Sequence, residues 1–445
     1  MTEQKAGEGV SRRTFLKSSA ALAAGAAALR PGYAAGAERL RLGLIGCGGR
    51  GTRAAVQALT STNTPVQLVA MGDVFRDMLD QSMKMLSRGA KSRYDNRDFG
   101  ALADRLDVPA ERQFVGFDAY KKVLASDVNV VILATPPAFR PEHFRAAVEA
   151  GKHVFMEKPV AVDPAGVRTV IAAADEAKKK GLSVVAGTQR RHQKHYIEIM
   201  KRVQDGQIGD ILTATAYWNM GPLWLEEADT NWAGKSKWTD MEWQLRNWLF
   251  TGWLSGDHIC EQHVHNLDII HWALGANPIK AAAMGGRQAR TDPKFGNIYD
   301  HFAADLEYPN GIHVTSYCRQ MENSPNVIAE RIVGSKGVAW TTSEGGSIEG
   351  GASPVRFEAD PLEPYYQEHA DLIQSIREGK AVNEGRQVAE STMVAIISRM
   401  SAYTAADVAW DWAMKESKLD LAPKKLEFGP LPLAPVAVPG KTPLI

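Results

Sequence analysis

A glycine-rich turn constrains this chain more than any other stretch. An apolar run from Leu40 to Ile45 has the composition of a buried parallel strand and leads directly into Gly46, Gly48 and Gly51. A helical pattern follows, so the glycines stand between a strand and a helix, where a dinucleotide-binding loop requires them. The first permits a tight turn, the second lets the backbone approach a diphosphate, and the third lets the helix pack on the strand. The sequence therefore predicts a bound dinucleotide.

Apolar runs alternate with helical patterns from residue 40 to about 188, which is typical of a doubly wound parallel sheet. Strands are predicted at 66–71, 128–134, 153–156 and 183–188, whereas residues 75–126 are interpreted as mostly helical connecting structure. Further on, Asn310-Gly311 and the turn from Gly334 to Gly337 each separate two strand-like runs and predict hairpins. The predicted fold class is α/β, a Rossmann domain followed by an α/β domain with a mostly antiparallel sheet.

The first 37 residues are predicted to be an export signal. Ser11-Arg12-Arg13-Thr14-Phe15-Leu16-Lys17 precedes an alanine-rich run that is too short to span a bilayer as a helix. This arrangement resembles the twin-arginine signal, so we expect a periplasmic protein. The alternative is a disordered N-terminus that contains two adjacent arginines. With 52 basic and 51 acidic residues, the composition argues against nucleic-acid binding, and no further segment predicts membrane insertion.

A length of 445 residues favours two domains. We predict a signal peptide at 1–37, a nucleotide-binding domain at 38–160 with its last helix and strand reaching about 188, a domain for substrate and oligomer contacts at 189–425, and a proline-rich arm at 426–445. The three cysteines are widely spaced, which indicates neither a disulfide framework nor a cysteine metal site.

An acid, Asp73, closes the second predicted strand, where a carboxylate would hold the adenosine ribose 2′-hydroxyl. The alternative is a solvated loop acid. A carboxylate at this point repels a 2′-phosphate, so NAD is preferred over NADP as the cofactor, although the nearby Arg76 weakens that preference.

Several motifs occur in the order and spacing of a known family: the glycine loop, Thr135-Pro136-Pro137, His143, Gly151-Lys152-His153-Val154, Glu157-Lys158-Pro159 and Glu261…His265…Asp268. From about Leu40 to Ala406 the chain resembles the glucose–fructose oxidoreductase / inositol dehydrogenase (Gfo/Idh/MocA) family of nicotinamide-dependent sugar oxidoreductases. The resemblance implies a Rossmann domain and an α/β domain whose open sheet forms homodimers or homotetramers. It implies cofactor contacts at Gly46, Gly48, Gly49, Arg50, Gly51, Asp73, Thr135, Pro136, His143, Glu157 and Lys158.

Oxidation of a secondary alcohol needs a base with a suitable pKa and a cation that steadies the developing alkoxide. The family's lysine and histidine carry over to Lys158 and His265. The alternatives are a surface lysine in a salt bridge and a structural histidine. Glu261 precedes His265 by four residues, so on one helix the two side chains share a face and Glu261 could orient the base.

The segment around His265 departs from the family pattern, because Glu-x-His-x-His-x-x-Asp stands where Asp-x-Gly-x-His-x-x-Asp is usual. His263 replaces the glycine and could contact substrate or, with Glu261, His265 and His258, bind a metal. We expect no metal, since the family's chemistry needs none and His263 and His265 point in different directions on a helix.

Seven of the eleven tryptophans fall between Trp218 and Trp253. Aromatic faces suit the apolar C–H faces of sugar rings, although such a cluster can equally form ordinary core or oligomer contacts. Further substrate contacts are expected at Arg191, Tyr196 and Asp268, together with Trp218 and His263.

The sequence thus predicts an exported NAD-dependent oxidoreductase that transfers hydride between nicotinamide and a secondary hydroxyl of a sugar or glycoside, with its cofactor tightly bound. One alternative is an NAD-dependent glycosidase that acts by transient oxidation and elimination. A second is a non-catalytic sugar-binding protein that keeps the fold.

Overall fold

A computed structural model describes residues 39–91, 98–221, 223, 225, 238–351, 353–360 and 363–445. The predicted export signal lies outside these residues, as do Trp224 and Trp232 of the tryptophan-rich stretch. Within the described ranges, no helix is both long and apolar enough to cross a membrane.

The N-terminal half contains the strands and helices of a doubly wound fold, and its glycine-rich turn joins the first strand to the first helix. The strands are β1 (Leu40–Ile45), β2 (Val66–Asp73), β3 (Ala90–Lys91), β4 (Asp98–Phe99), β5 (Gln113–Val115), β6 (Val130–Leu133), β7 (His153–Met156) and β8 (Val184–Ala186). The helices are α1 (Gly49–Thr60), α2 (Arg76–Arg88), α3 (Ala119–Ala125), α4 (Arg140–Glu149) and α5 (Pro164–Lys179).

Over the described residues, six of these strands form one sheet in the order β5-β2-β1-β6-β7-β8, and every pairing in it is parallel. The strand order reverses between β1 and β6, which is where a doubly wound sheet opens a crevice for a ligand. The sequence predicted this sheet except for β5, which falls in the segment interpreted as helical. Its three half-buried residues are too few to show an alternating pattern.

The C-terminal half contains a second, larger sheet and the helices that cover one of its faces. The strands are β9 (Ile211–Met220), β10 (Lys280–Gly286), β11 (His301–Tyr308), β12 (Ile312–Gln320), β13 (Val327–Gly334), β14 (Gly337–Thr342), β15 (Gly345–Gly350), β16 (Val355–Glu358) and β17 (Val408–Ala409). The helices are α6 (Lys194–Gln204), α7 (Asp240–Arg246), α8 (Gly252–Ser255), α9 (Asp257–Glu261), α10 (Val264–Leu274), α11 (Glu363–Glu378), α12 (Gly385–Thr404) and α13 (Trp410–Lys415).

In the described part of the chain, the nine strands are ordered β16-β15-β14-β13-β9-β12-β11-β10-β17. All neighbours are antiparallel except β9 and β12, whose pairing is parallel. The hairpins predicted at Asn310-Gly311 and at 334–337 are both present, as β11–β12 and β13–β14. The predicted α/β fold class is therefore confirmed.

Helix α12 connects the two halves. It is buried along most of its length, and it packs on α5 of the first half and on β10 and α10 of the second. Helix α11 similarly lies against α1, the helix of the glycine-rich turn. The ends of the parallel strands and helices α9 and α10 therefore meet at a junction that both halves build.

Candidate active site

The glycine-rich turn has the geometry that a diphosphate needs. Gly46 has a φ of +95°, and a Cβ there would lie 2.6 Å from backbone atoms of Ala134 and Thr135. A Cβ on Gly51 would lie 1.9 Å from the carbonyl oxygen of Gly46, so only glycine allows α1 to pack this closely on the turn. Around Gly48, by contrast, no described residue other than Gly48 and its two chain neighbours has an atom within 4 Å of the corresponding position. The residues present therefore fit a dinucleotide whose diphosphate approaches Gly48 and the N-terminus of α1.

Asp73 ties the end of β2 to the glycine-rich turn. Its two carboxylate oxygens accept hydrogen bonds from the backbone N–H of Cys47 at 2.6 Å and of Phe75 at 2.8 Å. Burial raises the pKa of Asp73 above its ordinary value. Each carboxylate oxygen can accept a further hydrogen bond, so the predicted ribose contact remains compatible with these bonds.

Behind the turn, a buried arginine that the sequence did not single out holds two strand ends together. The Arg140 guanidinium donates to the carbonyl oxygens of Leu133 at 2.8 Å, Thr135 at 2.6 Å and Glu157 at 2.9 Å. Burial lowers the pKa of Arg140 to about 10. The helix α4 carries other charged residues, so its sequence did not mark Arg140 as buried. Arg140 fixes the ends of β6 and β7, at the switch point of the sheet.

His143, expected to touch the cofactor, lies instead in the core. Its ring stacks on Tyr120, with ring centroids 4.2 Å apart, and its Nδ1 lies 3.2 Å from the Thr135 hydroxyl. Burial lowers the pKa of His143 to about 3, so the ring is neutral. The ring reaches the cofactor site through Thr135, and a direct contact with the cofactor stays a prediction.

Arg50 and Glu157, both expected at the cofactor, are paired with each other. The Arg50 guanidinium also forms an ion pair with Glu368 of α11 at 3.1 Å and donates to Gln57 at 2.8 Å. The Glu368 side chain is fully buried, and burial raises its pKa well above the ordinary value. Nothing in the sequence pattern marks Glu368, because only folding brings α11 against α1. The arrangement links the glycine-rich helix, the end of β7 and α11.

Lys158, the residue after Glu157, reaches across to α9. Its ammonium donates to the main-chain carbonyl of Glu261 at 2.5 Å and forms an ion pair with the Glu261 carboxylate at 3.1 Å. Both side chains are 13% exposed, so they lie in a narrow opening rather than on the open surface. A lysine ammonium has three N–H donors, and these contacts use two. The third can reach an oxygen of a bound substrate.

The predicted pairing of Glu261 with His265 is not what the structure shows. Helix α9 ends at Glu261 and α10 begins at Val264, so the two residues do not share one helical face. Glu261 contacts Lys158 instead. The four-residue spacing was misleading, because it assumed a continuous helix across residues 262 and 263.

His265 is buried beside cationic groups. Its ring stacks on Trp218 with centroids 5.7 Å apart, and no hydrogen bond to the ring is found among the described residues. Burial lowers the pKa of His265 well below its ordinary value, and the charges of Lys158 and Arg190 lower it further. His265 is therefore a neutral imidazole at physiological pH, with both ring nitrogens available.

His263, two residues earlier, has a different environment. It is fully buried, and its Nε2 lies 2.8 Å from the hydroxyl of Ser316 on β12. Burial lowers the pKa of His263 to about 3. The side chain thus points into the sheet, and its contact with substrate stays a prediction. Among the described residues, no group of three histidine, cysteine or acidic side chains could hold a metal ion.

Two of the expected substrate residues are bound to each other. The Arg191 guanidinium donates to both carboxylate oxygens of Asp268, at 2.8 and 2.9 Å, and Ser391 donates to the same carboxylate at 2.6 Å. Arg191 also lies over the Trp272 ring at 4.8 Å. This two-bond pair fixes the turn after β8 against α10 and α12.

Tyr196 is likewise a core residue rather than a substrate contact. It is fully buried, and its hydroxyl donates to the Glu330 carboxylate at 3.2 Å. The Glu330 carboxylate also forms an ion pair with Arg190 at 2.5 Å and accepts a hydrogen bond from the Asn266 side-chain amide at 2.6 Å. The tyrosine occupies the inward face of α6, so in this structure it contacts the core. The network positions Arg190 near Trp218, whose ring lies 5.7 Å from the guanidinium.

Comparison with known proteins agrees with the two-domain α/β fold. Residues 40–186 match the family model described as an oxidoreductase family with an NAD-binding Rossmann fold, and residues 196–340 match the GFO/IDH/MocA C-terminal domain. Together the two matches cover more than half of the chain. The protein belongs to the GFO/IDH/MocA oxidoreductase family. The comparisons do not separate NAD from NADP.

Individual relatives of this GFO/IDH/MocA protein are distant. The chain is 28% identical over 209 residues to 2,7-anhydro-N-acetylneuraminate hydratase from Escherichia coli K12, covering 46% of this chain and 50% of that one. It is 26% identical over 236 residues to inositol 2-dehydrogenase from Klebsiella pneumoniae strain 342, covering 53% and 54%. The chain thus spans about half the length of these curated relatives.

A solved structure extends the similarity in fold. The aldose-aldose oxidoreductase from Caulobacter crescentus, complexed with glycerol, aligns with a TM-score of 0.62 and 20% identity, covering 84% of this chain and all of that one. At this identity the match concerns the fold alone.

Proposed function

We propose that this GFO/IDH/MocA protein is an NAD-dependent oxidoreductase that transfers hydride between nicotinamide and a secondary hydroxyl of a sugar or glycoside. The observation that carries the proposal is the convergence of a cationic lysine and a neutral histidine at the switch-point crevice. Lys158 follows β7 of the first half, and His265 lies on α10 of the second. Lys158 is bonded to Glu261, four residues before His265 in the chain, and its positive charge lowers the pKa of His265.

Lys158 supplies the charge that an alkoxide needs. The Glu261 contacts hold its ammonium in one position, and the remaining N–H can donate to the substrate hydroxyl oxygen. A donor aimed at the atom where negative charge develops stabilises the transition state more than the ground state. We therefore propose that Glu261 positions Lys158. This role replaces the one expected from the sequence, in which Glu261 orients His265.

His265 is proposed as the proton acceptor. Its pKa lies well below the ordinary value, so the ring is neutral and its unprotonated nitrogen can accept the proton of the substrate hydroxyl. Stacking on Trp218 fixes the plane of the ring, which leaves Trp218 as a support for the base rather than as an exposed sugar platform.

Nicotinamide, when bound, supplies the hydride acceptor or donor. Gly46, Gly48 and Gly51 would hold the diphosphate, and the Asp73 carboxylate would accept a hydrogen bond from the ribose hydroxyl. The preference for NAD over NADP is supported by this carboxylate, which the backbone N–H groups of Cys47 and Phe75 hold at the end of β2. Competition between NADH and NADPH at equal concentrations tests the preference, and tighter binding of NADPH would reverse it.

Turnover of a carbohydrate panel tests the proposed activity. The protein supplied with NAD should form a keto sugar and NADH from at least one sugar, inositol or glycoside, and a matched reaction with NADH should reduce that keto sugar. Failure of every carbohydrate with both NAD and NADP would reject the proposal.

A second candidate is a glycosidase that oxidises the sugar transiently and restores it after elimination. One curated relative is named as a hydratase. A hydratase catalyses a reaction without net oxidation, which supports the glycosidase as a second candidate. A chromogenic glycoside separates the two functions. Release of the chromophore by cofactor-loaded protein without accumulation of NADH or keto sugar supports the glycosidase.

We also propose export through the twin-arginine pathway to the periplasm, on the basis of residues 11–17. A periplasmic enzyme has no steady supply of free NAD, so the cofactor should remain tightly bound and be recycled on the protein. Native mass spectrometry of the purified protein should show a bound dinucleotide. Protein purified without one would contradict the tight binding, and a fusion to residues 1–37 that stays in the cytoplasm would contradict export.

Assembly as a homodimer or homotetramer is proposed from the second sheet. Tyr217, Tyr317 and Trp340 form a row of neighbouring rings, with centroids 6.0 and 6.3 Å apart, and the last two are 41% and 36% exposed. Exposed apolar rings of this kind mark a contact surface. Light scattering should give two or four copies, and Trp340→Glu should yield monomers.

A further inference from the structure

The C-terminal arm, residues 426–445, is fixed along helix α7 in a definite register. The N–H of Met241 donates to the carbonyl of Gly429 at 3.2 Å, and the N–H of Leu431 donates to Asp240 at 3.0 Å. The Gln244 side chain donates to the carbonyl of Leu431 at 2.5 Å. Because backbone groups on both sides take part, the arm cannot slide along α7 without breaking all three bonds.

This register places one aromatic ring against two strand ends of the first sheet. The Phe428 ring centroid lies 5.7 Å from that of Phe75 and 5.3 Å from that of Phe117. Phe75 lies two residues after Asp73, the last residue of β2, and Phe117 lies two residues after the end of β5. The arm thus reaches the carboxyl edge of the sheet.

Helix α7 also contacts the turn between β2 and α2. The Arg246 guanidinium lies 4.0 Å from the centroid of the Phe75 ring, and it forms an ion pair with Asp77 of α2 at 2.9 Å. The β2–α2 turn is therefore held from one side by α7 and touched by the arm through Phe428.

The carboxyl ends of β2 and β5 are where the adenosine half of a dinucleotide lies. The diphosphate lies at the switch point between β1 and β6, and the ribose is held at the end of β2, so the base extends towards β5. Phe428 remains 46% exposed despite its two ring contacts. A ring supported by other rings but still half exposed offers a flat apolar surface on which a purine can stack.

We propose that the C-terminal arm completes the cofactor site, with the ring of Phe428 stacking on the adenine base and slowing release of the dinucleotide. The proposal rests on the proposed function in that it requires a bound dinucleotide. It assigns a cofactor contact to a segment that lies outside both matched family domains.

The test compares two probes that share the nicotinamide end. The full chain and its Phe428→Ala, Phe428→Leu and Val438→Ala variants are titrated with NADH and with reduced nicotinamide mononucleotide, which lacks the adenosine half. Val438 is the matched control, because it lies on the same arm and is 47% exposed. Phe428→Leu keeps apolar volume without the ring, and the melting temperature of each variant reports whether the arm stays folded.

We expect Phe428→Ala to weaken NADH binding and to speed its dissociation about tenfold, which is within the range for base–aromatic stacking. Phe428→Leu should fall between Phe428→Ala and the unchanged chain, while the mononucleotide binds all variants equally. Equal NADH binding by Phe428→Ala and the unchanged chain would overturn the proposal, as would an equal loss for both probes. If the unchanged chain binds neither NADH nor NADPH, the proposed function itself fails.

Discussion

The two ends of the crevice use opposite kinds of surface. At the end of β7 the side chains are charged: Lys158 is held by Glu261 and lies near His265, whose ring has no hydrogen-bond partner among the described residues. At the ends of β2 and β5 the rings of Phe75 and Phe428 are in contact and offer an aromatic surface. The charged groups there are tied to the fold, since backbone N–H groups hold Asp73 and Asp77 pairs with Arg246. The charged end can stabilise a changing charge, whereas the aromatic end can only hold a ligand in place. The difference separates catalysis from cofactor retention within one site.

Lys158→Ala gives the largest effect expected at the charged end. Removing the donor that faces the developing alkoxide should lower kcat about 100- to 1,000-fold. Binding of NADH should change much less, because the aromatic end is intact. Steady-state rates and NADH titration measure the two effects. Lys179→Ala, at the exposed end of α5, is the control, and a Lys158→Ala rate within threefold of the unchanged protein would refute the role.

His265→Asn and His263→Asn form a matched pair at positions two residues apart. Loss of the proton acceptor in His265→Asn should reduce kcat about 100-fold. His263→Asn loses a buried contact with Ser316, so it should lower the melting temperature while each folded molecule keeps most of its activity. The opposite pattern would show that the two histidines have been assigned the wrong way round.

Glu261→Gln should have a smaller effect, because the main-chain carbonyl of residue 261 still accepts from Lys158. We expect kcat to fall about tenfold with little change in KM, as the ammonium loses its fixed position and its ion pair. Glu261→Asp should recover part of the rate. A change confined to KM would instead indicate that Glu261 binds the substrate directly.

At the aromatic end, Arg246→Ala should change only how long the dinucleotide stays bound. Loss of the contact with Phe75 and of the ion pair with Asp77 loosens the β2–α2 turn, so NADH should dissociate about threefold faster. The kcat at saturating cofactor should remain within twofold. Stopped-flow displacement of NADH measures the first quantity, and an equal fall in kcat would mean that the two ends are not independent.

The pH dependence of oxidation should show the smallest change. A base with an ordinary histidine pKa near 6.5 would lose roughly fourfold in rate between pH 7.5 and pH 6. Because burial and nearby cations lower the pKa of His265, the neutral form persists through this range and the rate should fall less than twofold. The rate should drop only when the pH approaches the lowered pKa. A pH profile with its acid limb at 6.5 would contradict this environment.

The sequence could predict the parts of this site that depend on local pattern. The glycines of the first turn show their roles in their spacing, and the structure gives Gly46, Gly48 and Gly51 the expected geometry. The order of strands and helices also follows from local periodicity. The short strand β5 was not predicted, because three residues are too few to show an alternating pattern.

Contacts across the fold could not be predicted in the same way. Apart from Gln57, which shares α1 with Arg50, the partners of Arg50, Arg140 and Lys158 lie on other elements, so spacing along the chain says nothing about them. Glu261 shows the limit most clearly, because a correct spacing led to the wrong partner once the helix broke at residue 262. Tyr196 shows a related limit: it was expected to contact substrate because it follows the last strand of the first sheet, and only the fold shows that the buried Glu330 carboxylate accepts its hydrogen bond.

The most direct test of the central claim is a single turnover by the NAD-loaded protein mixed with a panel of sugars, inositols and glycosides, followed at the absorbance of reduced nicotinamide. For at least one carbohydrate, we predict a transient or stable increase in the unchanged protein. We predict almost none in Lys158→Ala loaded to the same extent. If loaded Lys158→Ala reduces its NAD as fast as the unchanged protein does, the charged end of the crevice is not where the reaction occurs.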